Sequence, residues 1–151
     1  MKDVFHTLVR QKREQLAISA NDVAAILSMS AHELDDLETH ADEWRMVVPI
    51  FKIKVLINLL KIDIRVLFDP EFQTLPIPSS ETPADVIKFH REALGLSCDE
   101  LSDKAGFFPP FGIIVEHHPL GLELYPVQVA IFVAEALQMP SDGFVNWILR
   151  R

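Results

Sequence analysis

Basic residues, cysteine, glycine and long apolar runs are all in short supply in this sequence, and each shortage closes off a class of function. Fourteen Lys and Arg face 22 Asp and Glu, a formal charge of −8 with a pI near 5.1. Such a chain repels phosphate at long range, which counts against a nucleic-acid partner unless its cations cluster locally. One cysteine, Cys98, excludes an intrachain disulfide. Five glycines supply no phosphate-cradling loop. The most apolar run, residues 46–60, is interrupted by Lys52, Lys54 and Asn58, and the N-terminus is too charged for a secretory signal, so no membrane span and a cytoplasmic setting are expected. What remains is a globular chain of 151 residues, 49% hydrophobic, enough for one domain or two small ones.

What the sequence does contain is one pattern, written twice. In residues 19–38 (SANDVAAILSMSAHELDDLE), Ser19 is suited to cap a helix, and Asp22 three residues on completes something close to a capping box. Val23, Ile26 and Leu27 share a face. Ser28 marks a sharp bend, Ser30 is a second cap, and Leu34 and Leu37 give a second helix its apolar stripe. The pattern returns 78 positions later in residues 97–116 (SCDELSDKAGFFPPFGIIVE). Arg13 and Glu14 match Arg91 and Glu92 at the same offset, Glu38 matches Glu116, and Pro49 matches Pro126 at an offset of 77.

Flanking segments complete each copy. A helix over residues 4–16 carries Arg10, Lys12 and Arg13, the densest positive charge in the chain; these are candidate phosphate contacts, or solvated side chains favoured by the helix dipole. Trp44 is placed to cover the edge of the core. Pro49 opens a helix with Ile50, Ile53, Ile57 and Leu60 that is apolar nearly all round, so more than one of its faces must be covered. The prolines and adjacent serines that follow predict an extended, semi-stiff linker, residues 70–82, between domains at 1–69 and 83–151.

Both halves resemble the helix-turn-helix domains of the lambda repressor and Cro family, the second most closely at its start (FHREALGLSCDELSDKAG). The resemblance implies an all-α protein of two tandem bundles, each of about five helices, in which the third helix lays its N-terminal side chains against base edges. Two departures stand out. A glutamine common after the helix-two cap is Ala20 in one copy and Cys98 in the other, and the small residue kept as Ala24 becomes Ser102.

Base edges are read by Arg, Lys, Asn and Gln. The surface of the first third helix offers Ala31, His32, Glu33, Asp35 and Asp36. A carboxylate about 4 Å from a phosphate costs on the order of 1 kcal/mol even in water. The second offers Pro109, Pro110, Phe111, Ile113 and Ile114, none with a side-chain donor. Phe108 stands where Ser30 caps the first copy, so this helix is expected to start late or be irregular. The run Phe107, Phe108, Phe111, Ile113 and Ile114 is a candidate interaction patch that joins the halves, joins two chains or packs into its own core.

Other chemistry is sparse. His117 and His118 beside Glu116 diverge in direction on a helix, so no metal site is assigned. Cys98 reads as a buried or half-buried thiol acidified by a helix N-terminus, without a His–Asp partner pattern for nucleophilic work. His32 and His40 read as surface residues. No cofactor and no enzymatic role are expected. The choice lies between a regulatory protein acting through a protein partner or self-association, with weak DNA binding, and a DNA-binding repressor working as a single-chain pseudo-dimer.

Overall fold

The computed structural model describes residues 1–78 and 81–151, and every regular element among them is helical. The first half holds α1 (Phe5–Gln15), α2 (Ala20–Ile26), α3 (Ala31–Thr39), α4 (Glu43–Met46), α5 (Ile50–Leu60) and a 3₁₀ turn (Ile64–Leu67). The second holds α6 (Pro83–Ala93), α7 (Cys98–Lys104), α8 (Phe111–His117), a 3₁₀ turn (Gly121–Leu124), α9 (Val127–Ala136) and α10 (Ser141–Arg150).

The boundaries follow from local chemistry. Ser19, Ser30, Thr82 and Ser97 each accept a backbone N–H from three residues on, and the last three form reciprocal capping boxes. Three left-handed residues close turns in each half at matched stations: Ala17, Ser28 and Lys61 in the first, Gly95, Gly106 and Gln138 in the second. Glycine relieves two of these in the second half, where the first carries the Cβ penalty of about 1–2 kcal/mol per residue.

One ion pair is built twice. Arg13 donates from Nε and Nη2 to the two carboxylate oxygens of Glu38 (2.6 and 2.8 Å) and from Nη1 to the Ile18 carbonyl (3.3 Å). Arg91 repeats this with Glu116 (Nη2–Oε2 3.0 Å) and the Leu96 carbonyl (2.6 Å). Each clamp ties the first helix of its half to the third and to the loop before the second.

The halves share a continuous core. α5, apolar nearly all round, packs on α1 within its own half and on α10 and the 121–124 turn across the boundary. Pro49 and Pro126, matched positions of the repeat, face each other in an isolated antiparallel bridge, and the Ile50 N–H donates to the Tyr125 carbonyl (2.9 Å). α4 packs on α9, while its counterpart, the 121–124 turn, packs on α5. Reciprocal contacts of this kind define a local twofold axis, the signature of an isologous interface inside one chain. Lys54 and Glu123 form a half-buried ion pair across it (2.8 Å).

Residues 69–78 contain no helix, yet they are a packed strap rather than a bare spacer. Phe72, Leu75 and Ile77 lie against the core, and the Gln73 carbonyl passes so near Gly143 of α10 that a Cβ there would sit 2.2 Å from it. Ser79 and Ser80 of the expected linker lie outside the described residues.

Candidate functional site

The outward faces of α3 and α8 are the two surfaces singled out by the sequence, and the structure builds them differently. α3 begins at a full capping box: the Ser30 hydroxyl accepts the Glu33 N–H (3.1 Å) and the Glu33 carboxylate accepts the Ser30 N–H (2.6 Å). Those bonds from Ser30 hold the Glu33 carboxyl below its ordinary range. Ala31, His32, Glu33 and Asp35 are exposed and Asp36 is half-buried. Asp36 sits between His32 (3.7 Å) and His40 (3.8 Å). The face therefore presents three carboxylates and no side chain of the Arg, Lys, Asn or Gln type.

α8 starts at Phe111, two stations later in the repeat register than α3, with Pro110 at its N-cap and no side-chain cap. Ser102 of α7 takes over part of the task. Its hydroxyl donates to the Cys98 carbonyl (2.9 Å) and accepts the Gly112 N–H (2.8 Å), satisfying one of the orphan donors of the helix start. Gly112 allows the close approach, since a Cβ there would lie 2.2 Å from the Cys98 carbonyl oxygen. The matching residues in the first half are Leu34 and Ala24, both buried. Only a glycine at a station where the first copy has a core leucine signals this Ser–Gly contact in the sequence.

The candidate patch divides in two. Phe111 is buried, stacked on Phe107 (4.3 Å between ring centroids) and edge-on to Tyr125 (5.2 Å), so it belongs to the core. Phe108 is 91% exposed, Ile113 is exposed and Ile114 half-buried. The halves meet through α4, α5, α9, α10 and the 121–124 turn rather than through these outward residues. Beside Phe108, an open groove of about 790 Å³ runs along α7, lined by Leu96, Asp99, Asp103, Phe107 and Pro109 among others.

The basic cluster of α1 also divides. Arg10 is exposed and pairs with Glu14 (3.3 Å), and Lys12 is half-buried. Arg13 is half-buried, its guanidinium committed to Glu38, whose hydrogen bond raises its pKa further. The Cys98 expectation is likewise reversed. Burial pushes the pKa of the half-buried thiol up and Glu116 adds to the shift, with Arg91 opposing them. His117 and His118 are exposed, and no cluster of three or more metal-ligand side chains occurs among the described residues. No helix is long and apolar enough to cross a membrane among those residues. Comparison with family models, curated proteins and solved structures finds no match for this chain.

Proposed function

We propose that this chain is a cytoplasmic, non-enzymatic regulatory protein: two repressor-like helix-turn-helix units, α2–α3 and α7–α8, fused into a single-chain pseudo-dimer that works mainly through protein contacts. The observation that carries this reading is the content of the two outward helix faces. One presents Glu33, Asp35 and Asp36; the other presents Phe108 and Ile113 and has no polar side chain in its first turn, residues 111–114. Neither releases counterions from a phosphate backbone, which supplies most of the affinity of non-specific binding.

The local twofold favours one alternative, a repressor that reads two half-sites with its two units, because operator symmetry mirrors protein symmetry. A mobility-shift titration on DNA from the gene's own neighbourhood separates the two. The regulatory reading expects binding no tighter than about 10⁻⁴ to 10⁻⁶ M at physiological salt. A sequence-specific complex in the nanomolar range decides for the alternative.

A further inference from the structure

We propose that the groove between α7 and the 106–110 loop docks a cationic segment of a partner protein, with Phe108 as the apolar anchor point. This names the kind of partner for the protein-contact reading above and rests on it. Phe108 is the most exposed large apolar side chain among the described residues, at 91%, and stands where the first copy places the polar cap Ser30.

Its position is prepared in advance. Phe107 donates its N–H to the Ser102 carbonyl (2.8 Å), the Phe108 carbonyl accepts the Phe111 N–H (3.1 Å), and Pro109 and Pro110 restrict the backbone between them. The neighbouring Phe107 ring is stacked on buried Phe111, which gives the groove a rigid floor. A surface ordered beforehand loses less freedom on binding.

Charge selects the occupant. Asp99, Glu100 and Asp103 line the groove against the single cation Lys104, on a chain of net charge −8. Such walls repel phosphates and acidic peptides and attract a basic segment. A second copy of this chain carries the same net charge of −8 and is repelled at long range, and Arg10, Arg13, Arg45, Arg65 and Arg91 already face carboxylates of their own chain.

The test uses the full chain, isotope-labelled for NMR, and two probes: a short synthetic amphipathic Leu/Lys peptide and its Leu/Glu counterpart. The Leu/Lys peptide is expected to bind saturably, moving the amides of residues 99–108, while the Leu/Glu peptide does not bind. Phe108→Ser should weaken binding about tenfold, the loss typical of a central anchor. Asp99→Asn with Asp103→Asn should weaken it several-fold and flatten its salt dependence, whereas Asp35→Asn with Asp36→Asn should leave it unchanged. Both peptides binding alike, neither binding, or the α3 variant acting as strongly as the α7 variant overturns the proposal. If neither peptide nor DNA binds, this inference alone fails; a nanomolar DNA complex instead overturns the reading beneath it.

Discussion

The α2–α3 and α7–α8 pairs share one frame and differ in almost everything they show to the outside. Both keep the arginine–glutamate clamp, the left-handed turn at Ser28 or Gly106 and the serine that starts the earlier helix. At the next helix start the copies part: Ser30 and Glu33 cap α3, while Phe108, Pro109 and Pro110 precede an uncapped α8 whose first free N–H groups rely partly on Ser102. Interior devices thus define the frame, and outward residues are free to change once another contact replaces what the helix end needs.

The largest effect should come from the clamps. The Glu116 side chain is 1% exposed against 8% for Glu38. Removing one partner of a buried, hydrogen-bonded pair costs about 3–5 kcal/mol. In urea denaturation, Glu116→Ala should lose an amount of that order and Glu38→Ala somewhat less. Equal, negligible losses would show that the clamps are incidental. Next is Gly112→Ala, where the new Cβ meets the Cys98 carbonyl. Overpacking of this kind costs about 1–3 kcal/mol, and a neutral result by thermal melting would contradict the close α7–α8 approach.

The caps give a smaller, opposed pair. Ser30→Ala should lose about 1 kcal/mol, as N-cap removal does. Phe108→Ser, at the matching station, should leave the melting temperature unchanged because α8 no longer starts there. Smallest is an acid effect. Glu33, Asp85 and Glu100 are held below their ordinary pKa by bonds from Ser30, Thr82 and Ser97. A depressed carboxylate stabilises above its unfolded pKa and loses that contribution as pH falls through its folded pKa, so the starts of α3, α6 and α7 should loosen below about pH 4. Hydrogen exchange should show the start of α8, which has no such carboxylate, indifferent to that change.

The parts legible in the sequence are those set by neighbours along the chain. Ser19 and Ser30 announce their helices, the prolines before Phe111 announce a late or irregular start, and the nearly all-round apolar surface of α5 announces a second partner. Periodicity does not say which partner, and the meeting of Pro49 with Pro126 depends on where two helices converge in space. Arg13 shows the same limit: on α1 it reads as surface charge, and only the 25-residue spacing to Glu38, repeated by Arg91 and Glu116, marks it as internal. The burial of Phe111, the packing of the strap at Gly143 and the raised Cys98 pKa likewise depend on tertiary neighbours.

Neither outward helix face is expected to read DNA. The most direct measurement is an amide-shift titration of the isotope-labelled chain with duplex DNA from the gene's neighbourhood at physiological salt. Amides of residues 31–36 and 111–114 are expected to stay in place through the micromolar range; saturable shifts confined to those residues at nanomolar DNA would contradict that expectation.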